Sequence, residues 1–138
     1  MNLKFKWPLD KPFRISSKFG PRKRPCPGAF KNHSGIDIAC PIDTPGSPIF
    51  QGTVAVVATK THEGLTLIVD HGLDEEGANW RSAYCHLNKV FVKEGGTVYS
   101  YQVAYATGNT GISSGPHLHV TIRRNGITID PLLYLKQP

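Results

Sequence analysis

The chain has 138 residues, enough for one domain with a real core and too short for two. Fourteen glycines and eleven prolines without a regular period exclude a collagen-like chain and point to a turn-rich fold, while tyrosine, phenylalanine and tryptophan spread along the length exclude a disordered one. A net charge of +6 suits an anionic polymer, but no helix-turn-helix pattern or aromatic RNA-binding strand accompanies it, so no nucleic-acid partner is expected.

The predicted elements are nearly all strands. In chain order, short β-branched or alternating runs occur at Ile36–Ile38, Gly52–Val57, Leu65–Val69, Trp80–Leu87, Thr97–Ala104 and His117–Ile122. Turn signals separate them at Pro45-Gly46, Gly95-Gly96, Gly108-Asn109, Ser114-Gly115-Pro116 and Asn125-Gly126. The last, an Asn-Gly pair between β-prone runs, predicts a two-residue hairpin. No stretch holds a 3.6-residue apolar period, and none approaches the ~18 apolar residues of a membrane span. Met1 to Pro8 mixes charged and apolar residues and lacks a secretory apolar core. A single all-β domain follows, with residues 1–12 leading in and 13–138 forming the core; nothing in the chain is expected to direct its export.

Six histidines stand in different settings. His117 and His119 are two apart on a strand-like run, so their imidazoles share one face and Leu118 turns to the other. One can hold a metal while its neighbour acts beside it. Upstream, His33-Ser34-Gly35-Ile36-Asp37 reads as a turn entering a strand, and brings an imidazole and a carboxylate within reach of one ion. Two imidazoles and one carboxylate make a catalytic type of zinc site, with a fourth position left for water. By alternation Tyr84 and His86 share a face and Cys85 points opposite, into the core. His62 reads as a surface residue and His71 as the brace of a turn. Three cysteines, Cys26, Cys40 and Cys85, cannot all pair; free thiols are the expectation, with a Cys26–Cys40 bridge closing a short loop as the alternative.

Asn32–Ile38, Tyr84–Leu87, Gly108–Gly111 and Ser114–His119 together resemble the lysostaphin-type zinc metallopeptidases, which cut the peptides of bacterial peptidoglycan. Ile15–Arg22 and Val69–Gly72 fit the same pattern, and the resemblance runs from about Trp7 to Leu135. It implies an antiparallel β-sheet with a narrow groove, and a peptidoglycan peptide as substrate. It further implies that His33, Asp37 and His119 bind Zn²⁺, that His117 is the general base and that His86 assists the transition state. The alternative is a non-catalytic wall-binding or structural component that keeps the fold. A domain met without signal peptide or wall-binding module suits a bacteriophage enzyme carried in the virion or released at lysis, with virion proteins as partners. The chain departs from the family at Ser100-Tyr101-Gln102, at Tyr105, at Val120-Thr121 and in the acidic stretch Leu73–Asn79; these departures are expected to bear on substrate preference and to leave the five site residues untouched.

Overall fold

The computed structural model describes residues 4–138; Met1-Asn2-Leu3, the start of the lead-in, lie outside the described residues. Twelve strands follow in order: β1 (Ile15–Ser17), β2 (Gly20–Pro21), β3 (Asn32–His33), β4 (Ile36–Ala39), β5 (Pro45–Gly46), β6 (Gly52–Lys60), β7 (Gly64–Leu73), β8 (Asn79–Val90), β9 (Thr97–Val98), β10 (Tyr105–Thr107), β11 (His117–Arg124) and β12 (Ile127–Ile129). A 3-10 turn, Pro131–Leu133, closes the chain. The main sheet is antiparallel in the order β1-β4-β11-β8-β7-β6-β9, with β12 beside β11. Among the described residues no helix is long and apolar enough to cross a membrane.

Local chemistry accounts for the principal connections. Asn125 and Gly126 both have positive φ, 51° and 79°, and Arg124 pairs with Ile127, which is the two-residue turn the sequence predicts. The expected strand over Thr97–Ala104 is broken instead. Gln102 donates its backbone N–H to the Tyr99 carbonyl, 3.0 Å, turning the chain between β9 and β10. Tyr105 then packs flat on Tyr84, ring centroids 4.9 Å apart, and occupies the space a side chain at Gly46 would need: a Cβ there would lie 1.9 Å from the Tyr105 ring.

One face of the sheet carries Ile36, Ile38, Leu67, Val69, Tyr84, Leu118, Val120 and Ile122, all buried in one apolar cluster. Phe5, Trp7 and Leu9 of the lead-in belong to the same cluster, and Phe5 bridges to Leu135 near the other end of the chain. Residues 5–9 of the lead-in therefore contribute to the core, and the three large side chains each remove apolar area worth about 1.5–3 kcal/mol. The opposite face bears the histidines.

Candidate metal centre

The register of β4 and β11 builds the site. His119 stands directly opposite Asp37 and His117 opposite Ala39, and cross-strand partners share a face. His33 joins them through the turn Ser34-Gly35. That turn runs so close to β11 that a Cβ on residue 35 would sit 1.9 Å from the Val120 carbonyl oxygen, so only glycine lets the chain pass. The outcome is a triangle of atoms: His33 Nε2 lies 3.1 Å from Asp37 Oδ1 and 3.0 Å from His119 Nδ1, and His119 Nδ1 lies 3.0 Å from Asp37 Oδ1. All three residues are buried.

The outer contacts of these rings leave His33 Nε2 and His119 Nδ1 as the inward nitrogens. His33 donates from Nδ1 to the Lys18 carbonyl, 3.0 Å away, with the Ser17 hydroxyl oxygen at 3.3 Å. His119 has the Thr121 hydroxyl 2.7 Å from Nε2. With their protons engaged outward, both imidazoles turn lone pairs toward the carboxylate oxygen. Three electron-rich atoms converge on one point, an arrangement that calls for a cation. Their separations match a tetrahedral ligand set, whose edges are about 3.3 Å when bonds are ~2.0–2.1 Å. The residues therefore fit a metal such as zinc. Burial opposes a charge on Asp37, but the contacts of its carboxyl with His119 and His33 outweigh it and hold it well below the usual carboxylate range. Burial also lowers the pKa of His119.

Two more imidazoles face the triangle. His117 donates from Nδ1 to the Gly115 carbonyl, 2.7 Å, and its Nε2 is 3.6 Å from Asp37 Oδ1, near the cluster but outside it. His86 donates from Nδ1 to the Thr110 carbonyl, 2.7 Å, with its ring 4.7 Å from that of His117. Burial, chiefly, pulls the His86 pKa down to about 4. Thr110 explains the Gly108–Gly111 motif: its hydroxyl donates to the Leu87 carbonyl, 2.7 Å, and accepts from Leu65 N–H, 3.1 Å. Gly64 makes room for it, since a Cβ there would meet the Thr110 hydroxyl at 2.4 Å.

His86 reaches the site by a route that simple alternation misses. Its φ is +61°, a left-handed conformation rare outside glycine, and the β7–β8 register shifts between Leu65 and Leu67. This bulge breaks the period of two. Tyr84 pairs with Val120 and turns into the core, where its hydroxyl accepts from Ile49 N–H at 2.8 Å. Cys85 pairs with His119 and so lies on the histidine face, buried beside Thr66. The expectation that Tyr84 and His86 share a face, with Cys85 in the core, is corrected by the bulge. Cys85 is nonetheless inert: burial pushes its thiol up to about 12. All three cysteines are free.

A cleft of about 300 Å³ contains the four clustered histidines and Asp37, walled by Phe30, His62 and Ile112 among others. His62, expected on the open surface, stacks on Phe30 with ring centroids 4.8 Å apart. His71, expected to brace a turn, lies within β7 and bridges the Gln51 carbonyl (2.9 Å), just ahead of β6, to the Ser82 hydroxyl (2.8 Å) of β8. Of the departures from the family pattern, Tyr105 is core and Tyr101 is surface, but Thr121 touches a site histidine after all. Sequence reasoning also gave no role to Arg22, whose guanidinium reaches Asp37.

An antiparallel β-sheet carrying a buried His/Asp/His triangle in a groove is the architecture of a lysostaphin-like metallopeptidase domain. The family model for peptidase family M23 matches residues 31–131, and the chain belongs to that family. It is 36% identical over 129 residues to an uncharacterized metalloprotease of Haemophilus influenzae, and 33% identical over 128 residues to the peptidoglycan DD-endopeptidase ShyA of Vibrio cholerae, covering 92% of this chain in both. It spans only 26% and 29% of those relatives' own lengths. Among solved structures, a zinc-containing peptidase from Vibrio cholerae superposes with a TM-score of 0.82 at 32% identity, over 99% of this chain and 41% of that one. The catalytic domain of lysostaphin from Staphylococcus simulans gives 0.74 at 27%, over 87% and 90%. The catalytic domain of EnpA, a prophage-encoded M23 protein of Enterococcus faecalis, gives 0.74 at 28%, over 92% and 95%.

Proposed function

We propose that this chain is a zinc endopeptidase that hydrolyses peptide bonds in the cross-links or stem peptides of bacterial peptidoglycan. The observation that carries the reading is the convergence of His33 Nε2, Asp37 Oδ1 and His119 Nδ1, all within 3.1 Å of one another, with two further imidazoles facing them. The ShyA relative and the zinc-containing structural neighbour support the substrate class and the metal.

His33, Asp37 and His119 would hold the ion. Zinc, when bound, lowers the pKa of water toward ~7 and polarises a carbonyl. His117 is the general base: with Nδ1–H given to Gly115, its Nε2 lone pair faces the site and takes the proton of the attacking water. His86, also committed at Nδ1, is neutral in the resting protein because burial lowers its pKa to about 4, and donates from Nε2 only once it has taken up a proton from solvent as imidazolium. Negative charge developing on the carbonyl oxygen gives it cause to hold that proton, so its donation strengthens in the transition state. No side-chain nucleophile is needed, and the cysteines take no part. The catalytic unit is one domain, 13–138 with 1–12 as its lead-in. Delivery by a phage, at entry or lysis, is the route to the wall we favour, with the prophage-encoded EnpA neighbour in support.

Metal analysis of four variants tests the assignment. His119→Ala and Asp37→Asn lose zinc and turnover together, whereas His117→Ala and His86→Ala keep zinc. Turnover of His117→Ala falls by ~10²–10⁴, the usual worth of a general base. Stoichiometric zinc in either ligand variant, or near-normal turnover in His117→Ala, overturns the corresponding role.

A further inference from the structure

The two oxygens of Asp37 have different neighbours. Oδ1 faces the His33 and His119 nitrogens, while Oδ2 accepts from Arg22 Nη1 at 3.2 Å. The same Nη1 lies 3.0 Å from the Ser17 hydroxyl, which in turn is 3.3 Å from His33 Nδ1. Arg22 is itself fixed: its Nε donates to the Phe30 carbonyl, 3.1 Å, and its backbone N–H to the Lys31 carbonyl, 2.8 Å. Its side chain is only 15% exposed. A guanidinium so largely withdrawn from water is stabilised by pairing, and its rigid planar fork places donors where a lysine ammonium cannot.

We propose that Arg22 is a positioning residue for the metal centre. By occupying Oδ2 it leaves the ion a single carboxylate oxygen, Oδ1, and so keeps Asp37 monodentate and the fourth position open for water and substrate. Through Ser17 the same guanidinium steadies the outer edge of His33, so one side chain orients two of the three ligands. The segment Pro21–Lys31, which carries Phe30 on the groove wall, is thereby tied to the ligand set. Carboxylates that ligate metals are themselves hydrogen-bonded, and loss of such partners weakens metal binding. This inference rests on the ligand assignment proposed above.

The test reads metal binding without reference to wall hydrolysis. Zinc affinity is measured by competition with a chromophoric chelator for the parent chain, Arg22→Met, Arg22→Lys and Asp37→Asn, with the visible spectrum of each Co²⁺-loaded protein. Arg22→Met binds zinc about 10- to 100-fold more weakly than the parent, and Arg22→Lys falls between. In Arg22→Met the freed Oδ2 joins Oδ1 on the ion, so the cobalt bands weaken as the coordination number rises. A residue serving only to anchor the loop leaves both readouts at parental values. Parental affinity and an unaltered spectrum in Arg22→Met, alongside metal loss in Asp37→Asn, overturn the role of Arg22 alone; retention of metal by both variants overturns the ligand assignment and this role with it. Should Arg22→Met not fold, Arg22→Lys carries the same decision, weakened binding supporting the role and parental binding refuting it.

Discussion

His86 combines a strained backbone with a proposed catalytic role, and two substitutions separate these. Its φ of +61° costs a non-glycine residue about 1–2 kcal/mol relative to the right-handed regions. Glycine escapes that penalty but surrenders about 0.4–1 kcal/mol of extra freedom in the unfolded chain. Both His86→Gly and His86→Ala lose the same ring, with its contact to His117 and its hydrogen bond to the Thr110 carbonyl, so those losses cancel in the comparison. The difference leaves His86→Gly more stable than His86→Ala by about 0.5–1 kcal/mol. For a domain of this size that is a gap of a few degrees in Tm. Urea unfolding of the metal-free variants measures it directly. Turnover of both variants falls by ~10²–10³, the scale of one lost transition-state donor. An alanine variant as stable as the glycine variant would falsify the strain argument; near-parental turnover in either removes His86 from the mechanism.

Two further outcomes follow from the buried titratable groups. Burial lowers the pKa of His71, His86 and His119, so below about 6.5 the unfolded chain takes up protons that the native chain refuses, and stability falls as pH drops. For His86, held at about 4, each pH unit between 6.5 and that value costs about 1.4 kcal/mol. Urea titrations of the chelator-treated protein at pH 7 and pH 5 therefore give a clearly smaller unfolding free energy at pH 5, and equal or greater stability there contradicts the burial argument. For the thiols, Cys40 and Cys85 are buried with raised pKa values and Cys26 is half-exposed. A thiol reagent at pH 8 then labels one cysteine in the native protein and three after unfolding; labelling of two or more in the native state refutes the burial of Cys40 or Cys85, and mapping the labelled residue says which.

The histidine face was legible because strand periodicity puts His117 and His119 on one side whatever the rest of the fold does. The pairing of His119 with Asp37 was not, since register depends on contacts between residues 82 positions apart. The motif resemblance supplied the ligand set where spacing alone left the choice of histidine open. His86 was assigned to the site by that resemblance, yet its strand geometry was misread. A bulge with a left-handed residue has no signal in a run such as Tyr84-Cys85-His86-Leu87, where nothing but the non-glycine φ marks it. Tyr99–Gln102 likewise looked like a strand because its aromatics are β-prone, and a local turn overrode propensity. Thr121 was treated as remote from the site, though the same i, i+2 rule that joins His117 to His119 also puts residue 121 under the His119 ring. Arg22, Lys18, Thr110 and Gly115 act through carbonyls or through a long side chain, contacts that only the folded chain defines.

The most direct test of the account is mass spectrometry of the soluble fragments released from purified peptidoglycan by the zinc-loaded protein, beside a chelator-treated control. Release of peptides with new amino termini, abolished by the chelator and restored by zinc, is the expected result, and it names the bond that is cut. No release from several wall types by protein shown to contain stoichiometric zinc contradicts the enzymatic reading and leaves the His/Asp/His triangle as part of a structural or wall-binding domain.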